Sequence, residues 1–330
     1  MSARSTSLRG ELERLARLRD GTSVSFDEPL ARHTSLRIGG LVDAWVEVDA
    51  VDALERLMSA AGRAARPLRV VGLGSNVLFP DEGLDGVAVR LVGGLADWDV
   101  VTERGDRASV RVGAGTVNAH LVRGLHDEGL VGAEFLSLVP GTFGGAVAMN
   151  AGTGRGELSD VLRRVRVLVP GSGEGIVERE LEPDEIDLGY RHSDLPDGAV
   201  VVSGVVEVQR GDVEAARREM REDRHRRDRT QPYKQPSVGS TFANPEDDYA
   251  GRLIDEAGLK GEQVGGVRIS EEHANFFVNE GGGTAEEFLR LMARARSRVR
   301  QEFGVELRPE VRFVGFDGRE RLREYERQGC

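Results

Sequence analysis

The sequence has little that would cross-link the chain or hold it in a membrane. Its single cysteine is Cys330, so no intramolecular disulfide is possible, and a reducing cytoplasm is the expected setting. No stretch approaches the roughly 18 consecutive apolar residues that a membrane-spanning helix needs. Leu8, Leu12 and Leu15 are spaced as one face of a short amphipathic packing helix, so the N-terminal region has no apolar signal core. We expect a cytoplasmic protein that does not insert into membranes.

Lysine and histidine are also scarce, and acidic residues outnumber basic ones. The net charge is -11, and Lys234 and Lys260 are the only lysines. Acidic residues interrupt the arginine-rich run 217–229, which favours a solvated helix over a nucleic-acid site. The six histidines show neither HxxxH nor HExxH spacing, and one cysteine cannot build a zinc site. We predict no nucleic-acid partner and no catalytic metal.

The apolar content is sufficient for more than one folded core. Apolar residues make up 39% and charged residues 31% of 330 residues, which fits a folded protein of two or more domains. Short valine-rich runs predict strands, and two stretches with helical spacing interrupt them. The predicted strands are 42–48, 68–71, 87–91, 108–112 and 200–208, and the predicted helices are 52–61 and 118–128.

The last third of the sequence has a different pattern. A charged helix between Gly211 and Arg229 ends before Pro232 and Pro236, which indicates a linker. Thr284 and Glu287 form a capping-box pattern. The apolar residues that follow them on one helix face, and so should pack on strands 264–269, 276–279 and 311–314, are Phe288, Leu291, Ala295 and Val299.

The predicted fold is α+β, and its domains follow one another along the chain. They are an N-terminal helical segment 1–23, a cofactor domain 24–210 with subdomains of about 24–92 and 93–210, a charged helix and linker 211–236, a C-terminal substrate domain 237–316, and a charged, frayed tail 317–330.

Two glycine-containing loops follow apolar strands. The first is Gly72-Leu73-Gly74-Ser75-Asn76, for which a simple tight turn is an equally good interpretation. The second runs from Pro140 to Gly152, and its small residues around Thr142 favour a surface for a flat ring or a pyrophosphate. Neither loop has the GxGxxG or GxxxxGK[ST] spacing, so a Rossmann NAD domain or a P-loop is not expected.

Six sequence blocks, taken in order, resemble the UDP-N-acetylenolpyruvoylglucosamine reductase (MurB) family. They are 33–40 (HTSLRIGG), 72–79 (GLGSNVLF), 140–152 (PGTFGGAVAMNAG), 189–193 (GYRHS), 236–245 (PSVGSTFANP) and 307–315 (LRPEVRFVG). Their compact spacing is similar to the family's shorter type, which lacks an extra loop that carries a substrate-binding tyrosine. The resemblance implies a two-part FAD domain of the vanillyl-alcohol-oxidase (PCMH) type and a smaller α+β substrate domain.

The resemblance also implies a reaction, in which NADPH or NADH reduces UDP-N-acetylglucosamine enolpyruvate to UDP-N-acetylmuramate through FAD. This step belongs to peptidoglycan synthesis and thus to cell-wall formation, cell shape and division. Residues 70–80 contain no histidine, so the FAD is expected to be non-covalent. The expected partner is a small UDP-sugar, and the expected assembly is a monomer or a weak homo-oligomer.

The resemblance assigns roles to individual residues. Ser240 would protonate the carbon that bears the carboxylate, Arg191 would clamp that carboxylate with a planar pair of donors, and Glu310 would polarise it. Residues expected to bind the substrate are Tyr190, Gly239, Asn244 and His273. Residues expected to bind FAD are Arg37, Gly39, Gly72, Gly74, Ser75, Asn76, Pro140, Gly141, Thr142, Gly144, Gly145, Ala146, Asn150 and Gly152.

Two alternatives stay open at this point. One is another PCMH-type flavin oxidoreductase that acts on a sugar or a hydroxy acid. The other is a non-catalytic UDP-sugar-binding homologue, because Ala243 stands where family members often have a lysine. Residues 153–155 also differ from the commoner form, which contains a tyrosine.

Overall fold

The structure is a computed structural model that describes residues 8–17, 21–172 and 175–329. It divides into two compact units, each assembled from segments that are distant in sequence. The first unit consists of the described residues up to Asp27, of Asp43–Gly72 and of Gly86–Asp223. The second consists of Glu28–Val42, Leu73–Asp85 and the described residues from Arg224 onwards. Cys330 lies outside the described residues, as do residues 1–7 and 18–20 of the predicted N-terminal segment 1–23.

Helices and strands alternate along most of the described chain. The helices are α1 Leu8–Arg17, α2 Val51–Arg63, α3 Asn118–Asp127, α4 Phe143–Met149, α5 Leu158–Val161, α6 Val213–Asp228, α7 Ala250–Glu256, α8 Ala285–Phe303 and α9 Gly318–Arg327. The strands are β1 Ser23–Pro29, β2 Leu41–Val48, β3 Leu68–Val70, β4 Val77–Leu78, β5 Leu84–Leu91, β6 Trp98–Arg104, β7 Arg107–Gly113, β8 Leu130–Val131, β9 Gly152–Thr153, β10 Gly156–Glu157, β11 Leu162–Pro170, β12 Ile176–Leu181, β13 Val200–Arg210, β14 Ser237–Ser240, β15 Gln263–Val264, β16 Val267–Ile269, β17 Phe276–Asn279 and β18 Arg312–Phe313. None of the helices in these described ranges combines the length and the apolar character that a membrane span requires.

The first unit contains two larger sheets and one hydrophobic core. One sheet has the strand order β1-β2-β5-β3, and the other has the order β12-β11-β13-β7-β6 with β8 beside β13. The change from one sheet to the other falls between Leu91 and Trp98. Valine-rich strands supply much of the core, as Val110 and Val206 show, and helix α3 adds Leu121. All five strands predicted from valine-rich runs are confirmed, as are both predicted helices.

The N-terminal amphipathic helix is also part of the first unit. Leu12 and Leu15 are buried in the core, at 1% and 4% exposure, whereas Leu8 packs against its edge. The charged residues between them remain on the other face, since Glu13 and Arg14 are exposed. The predicted packing role of this helix is therefore confirmed.

The second unit has its own core, to which distant segments contribute. Its main sheet has the order β14-β17-β16-β15, and β18 pairs in parallel with β4. Leu36, Ile38 and Leu78 lie in the same hydrophobic cluster as residues of helix α8. The predicted capping box is confirmed, because the Thr284 side chain accepts from Glu287 N and the Glu287 side chain accepts from Thr284 N. All four residues predicted for the buried face of this helix are fully buried.

The prediction of a frayed tail is wrong for Gly318–Arg327, which form helix α9. The Asp317 side chain caps this helix by accepting from Glu320 N at 2.9 Å. Leu322 is fully buried in the core of the second unit, and Arg296 of helix α8 forms an ion pair with Glu326 at 2.9 Å. High charge density suggested a solvated tail, but a cap, one buried leucine and a partly buried ion pair are enough to dock one short helix.

Candidate active site

In the first unit, Gly72, the first residue of the predicted loop 72–76, lies against Thr142 of the second predicted loop. Gly72 follows strand β3, and a Cβ atom at this position would lie only 2.6 Å from Thr142 Oγ1. Thr142 itself is buried at the start of helix α4. The first loop therefore needs its initial glycine to let the second loop approach, which a turn alone would not require.

The loop around helix α4 interlocks with residues 114–118. Phe143 N donates to Thr116 O at 2.8 Å, and Gly144 N donates to Ala114 O at 2.8 Å. A Cβ on Gly144 would lie 2.9 Å from Ala114 Cβ, so this glycine serves the packing. Gly145 is different, because it is exposed and a Cβ there would meet nothing closer than Thr142 Oγ1 at 3.7 Å.

Gly145 thus marks a surface where the fold itself does not need a glycine. A glycine inside a helix costs about 1 kcal/mol relative to alanine, so a close approach by a ligand would explain its presence. Of its predicted neighbours, Pro140 is exposed and Gly141 lies partly buried, with its carbonyl accepting from Asn118 N at 3.1 Å. Ala146 is a core residue of the first unit, at 2% exposure.

The segments around Asn150 and Arg191 are hydrogen-bonded to each other. Asn150 is fully buried; its Nδ2 donates to Gly189 O at 3.1 Å and its Oδ1 accepts from Ser159 N at 2.9 Å. Arg191 donates from Nη2 to Gly152 O at 2.9 Å, and its guanidinium lies 4.8 Å from the ring centre of the exposed Tyr190. The first unit therefore brings Asn150, Gly152, Tyr190 and Arg191 together.

Several predicted site residues have a strained backbone. The described non-glycine residues with positive φ are Asp27, Arg37, Ala65, Asn150, Asp187 and Arg191. Left-handed backbone is costly for residues with a side chain and tends to accumulate at functional sites. Arg37, Asn150 and Arg191 were predicted as site residues from sequence motifs, whereas Asp27, Ala65 and Asp187 were not.

In the second unit, the first and second motif blocks meet at Gly74. Its φ is 64°, and a Cβ there would lie 2.0 Å from His33 O, so a glycine is required. Gly74 O accepts from Ser35 N at 3.1 Å, and Ser35 Oγ donates to Ser237 O at 2.6 Å. The predicted residues Arg37 and Gly39 follow in the same loop, where Arg37 is exposed and Gly39 partly buried.

Ser240, Glu310 and Asn76 are brought together in this unit. Thr241, which follows Ser240, accepts from Glu310 N through its carbonyl at 2.9 Å. Asn76 Nδ2 donates to Glu310 O at 3.2 Å, which joins the loop that also holds Ser75 to the Glu310 segment. Strands β14 and β17 have a register shift between Ser237 and Ser240, and Gly239 lies within it at φ 76°. Such bulges redirect the side chain that follows them.

Two further predicted substrate residues have roles within the second unit. Asn244 Oδ1 accepts from Ala250 N at 3.1 Å and so closes the turn before helix α7. His273 Nδ1 accepts from Asn275 N at 3.2 Å, and its ring packs edge-on against Phe276 at 4.9 Å. Burial lowers the pKa of His273, and the positive charge of Lys260 lowers it further. Ala243 is 8% exposed, so the residue at this departure from the motif is nearly buried.

Three buried asparagines that organise these loops were not predicted from the sequence. Asn118 donates to Val139 O at 3.2 Å beside Pro140, and its Oδ1 has no hydrogen-bond partner among the described residues. Asn275 bonds both Phe242 N and Phe242 O, at 2.9 and 2.8 Å, and Asn279 Nδ2 donates to Leu36 O at 3.0 Å. The sequence feature that could have identified them is a polar residue on an otherwise apolar helix face or strand, because buried polar groups are normally hydrogen-bonded.

Metal ligands do not cluster in the part of the chain that the structure describes. No three His, Cys, Asp or Glu side chains there lie close enough to share an ion.

Comparison with known proteins identifies the family. The family model described as UDP-N-acetylenolpyruvoylglucosamine reductase, C-terminal domain, matches residues 231–314, and that described as FAD binding domain matches residues 42–177. A UDP-N-acetylenolpyruvoylglucosamine reductase from Anaeromyxobacter sp. (strain Fw109-5) is 43% identical over 93% of this chain and 92% of its own length. A protein named UDP-N-acetylenolpyruvoylglucosamine reductase 2 from Symbiobacterium thermophilum is 44% identical over 90% of this chain and 94% of its own.

A solved structure agrees with the sequence comparisons. The crystal structure of UDP-N-acetylenolpyruvylglucosamine reductase (MurB) from Thermus caldophilus superposes with a TM-score of 0.74 at 36% identity, covering 88% of this chain and 98% of that one. The predicted fold class, an FAD-binding domain with the family's own smaller C-terminal domain, is confirmed. The chain therefore belongs to the UDP-N-acetylenolpyruvoylglucosamine reductase family.

Proposed function

We propose that this chain is a flavin-dependent reductase that converts UDP-N-acetylglucosamine enolpyruvate to UDP-N-acetylmuramate in peptidoglycan precursor synthesis, with NADPH or NADH as the donor. The observation that carries the proposal is the 43% identity over 93% of the chain to a protein named for this activity. Family models match residues 42–177 and 231–314, which lie in both halves of the chain.

The residues of the first unit fit an FAD group. Gly145 is exposed, and a Cβ at this position would contact nothing closer than Thr142 Oγ1 at 3.7 Å. Packing therefore does not require a glycine here, and the open backbone is available to the cofactor. Asn118 Oδ1 is a buried acceptor without a partner among the described residues, next to the same loop. Thr142, Gly141 and Gly145 would hold the cofactor there, and Gly74 with Asn76 would do so in the second unit. Bound FAD supplies the hydride transfer between the nicotinamide donor and the substrate.

The remaining chemistry falls to side chains of this protein. Reduction of the enol ether needs a proton on the carbon that bears the carboxylate, while negative charge develops on that carboxylate. We assign the proton to Ser240, whose hydroxyl is a weak acid and so can donate only to a strongly basic carbanion. Arg191 binds the carboxylate through two parallel N–H groups, and Glu310 shares a proton with it. Tyr190, Gly239, Asn244 and His273 line the substrate.

The test uses the purified protein. We expect a yellow protein that releases all its FAD on acid or heat denaturation, and whose reduced flavin is reoxidised anaerobically by the enolpyruvyl substrate. Flavin that stays on the precipitated protein would contradict non-covalent binding. A flavin that is reduced by simple sugars or hydroxy acids would instead identify an oxidase.

We also propose a cytoplasmic location and a monomeric or weakly associating state. The near-absence of cysteine and the lack of long apolar runs in the sequence support the location. Cell fractionation tests the first point. Light scattering at micromolar concentration tests the second, and a stable oligomer at that concentration would contradict it.

A further inference from the structure

The hairpin of strands β9 and β10 is attached at its tip to helix α6. Arg155 lies at this tip, and its guanidinium forms an ion pair with Asp223 and donates to Glu219 Oε2 at 2.7 Å. Asp223 is only 2% exposed, although it belongs to a helix that is otherwise largely solvated. A buried carboxylate is costly unless a cation compensates it, so this pair holds the hairpin tip in one place.

The other end of the hairpin contacts Arg191. Gly152, in strand β9, pairs with Glu157 and accepts the hydrogen bond from Arg191 Nη2 at 2.9 Å. Strands β9 and β10 are two residues each, and so short a hairpin is not stable by its own hydrogen bonds. Ala151 fixes the base of the hairpin, because its N donates to Ala146 O at 2.9 Å and its O accepts from Leu158 N at 3.0 Å. The ion pair of Arg155 holds the opposite end, so the hairpin that carries Gly152 O is attached at both ends.

We infer that the Arg155–Asp223 ion pair is a positioning device for Arg191. It acts through the hairpin, because Arg155 anchors the tip and Gly152 O orients the Arg191 guanidinium. Arg191 has a left-handed backbone at φ 57°, within the turn that Gly189 and His192 close by two 3.1 Å hydrogen bonds. That turn fixes the main chain, whereas the hairpin fixes the side chain. The inference rests on the proposed function, in which Arg191 binds the substrate carboxylate.

The experiment compares Arg155→Ala with the wild-type enzyme in steady-state kinetics. We expect KM for the enolpyruvyl substrate to rise and kcat/KM to fall by about 3- to 30-fold, the range in which indirect residues modulate a site. Arg155→Lys should recover part of the loss, because an ammonium compensates Asp223 but cannot serve two acids in fixed geometry. Arg107→Ala is the control for loss of a surface arginine, since Arg107 forms an exposed ion pair with Glu207 at 2.8 Å that does not involve the hairpin.

A double-mutant cycle shows whether the effect passes through Arg191. In an Arg191→Lys background, Arg155→Ala should change kcat/KM by less than about 2-fold, since coupled residues are not additive. A full additional loss in that background would overturn the inference, as would unchanged kinetics in Arg155→Ala or an equal loss in Arg107→Ala. A crystal structure of Arg155→Ala that keeps the contact between Arg191 and Gly152 O would also overturn it.

Failure of the proposed function would look different. A wild-type protein without FAD or without reductase turnover would contradict that function, whatever Arg155 does. FAD content and thermal midpoint are measured for every variant, because a merely structural role of Arg155 would lower these without changing KM.

Discussion

Ser240 is the last residue of a strand with a bulge, directly before a buried threonine. Removal of its hydroxyl by Ser240→Ala should leave the reduction of FAD by the nicotinamide donor nearly intact, since that step needs no acid from this residue. Oxidation by the enolpyruvyl substrate should slow by about 100- to 10,000-fold, the usual contribution of general acid catalysis. Stopped-flow measurement of each half-reaction separately checks this.

The same experiment includes two comparisons. Ser240→Cys should retain some rate, because a thiol also donates a proton. Arg191→Lys should weaken substrate binding as well as slow the second half-reaction, because a point charge cannot reproduce the paired donors. Equal damage to both half-reactions by Ser240→Ala, or damage to neither, would show that another group is the proton donor.

Asn118 connects the start of helix α3 to the loop that precedes helix α4. Asn118→Leu keeps a similar volume but removes the bond to Val139 O and the acceptor Oδ1. We expect FAD to bind about 2- to 12-fold more weakly, which corresponds to one net hydrogen bond. Equilibrium titration of the apoprotein with FAD measures this. His120→Ala, at an exposed position of the same helix, is the control and should bind FAD like the wild type.

His273 should make stability depend on pH in one direction. Burial and Lys260 lower its pKa in the folded protein, so the unfolded chain binds a proton more readily at this position. The contribution of His273 to the free energy of unfolding is therefore constant above the unfolded pKa of about 6.5. It decreases as the pH falls through that value towards the lower folded pKa. Asp255 opposes the shift and limits its size.

The measurement is a difference between two pH profiles. His273→Gln should be less sensitive than the wild type in its urea midpoint between about pH 7 and pH 5. An exposed histidine, changed by His120→Gln, provides the control for general charge effects. Parallel profiles for wild type and His273→Gln would contradict the burial argument.

Helix α9 has one fully buried side chain, Leu322. Leu322→Ala removes a fully buried leucine, and such truncations typically cost about 2–5 kcal/mol. Urea unfolding, followed by a probe in the C-terminal half of the chain, should show a lower midpoint. Arg327→Ala, at an exposed position of the same helix, should stay within about 0.5 kcal/mol of the wild type. A similar midpoint for Leu322→Ala and wild type would mean that the helix contributes nothing to the fold.

Periodicity and capping were sufficient to predict the elements whose signals are local. Strand β13 and helix α8 were both predicted, because a valine run and a capping box describe a strand and a helix without reference to the rest of the chain. Helix α9 was not predicted, since its single buried leucine gains its burial from partners elsewhere in the sequence.

The glycine loops show the same limit at a finer level. The sequence favoured the second loop as a ligand surface, but it could not separate Gly144, which packs against Ala114, from the open Gly145. That distinction depends on the contact between Gly144 and Ala114, which are about 30 positions apart in the sequence. The three loop-organising asparagines escaped notice for the same reason, because their hydrogen-bond partners lie elsewhere in the sequence.

Across the whole chain, segments that contribute to the first core alternate with segments that contribute to the second. The second core needs Leu36, Ile38 and Leu78 in addition to the C-terminal residues, and strand β18 needs β4 as its partner. We therefore expect the fragment 224–330 to remain largely unfolded when it is expressed alone. Circular dichroism and amide dispersion in NMR check this. A cooperative thermal transition in the isolated fragment would contradict it.

The order of the motif blocks was visible in the sequence, whereas their pairing was not. Ser35 bonds the backbone of Ser237, and these residues are separated by 202 positions. Hydrophobic spacing describes only neighbours in the chain, so it carries no information about which distant block a loop will meet.

This alternation of segments also delays formation of the second core during synthesis on the ribosome. Ile38 leaves the exit tunnel long before Leu322, its companion in the second core, and 284 residues are added in between (322 − 38). At about 5–20 residues per second this interval lasts roughly 15 to 55 s. During that time the second core is incomplete, so the apolar side chains of Leu36, Ile38 and Leu78 cannot be buried in it. They are accessible to ribosome-associated chaperones and to neighbouring nascent chains. Slow codons in the last third of the message would lengthen this vulnerable period, whereas the same codons near the start would not.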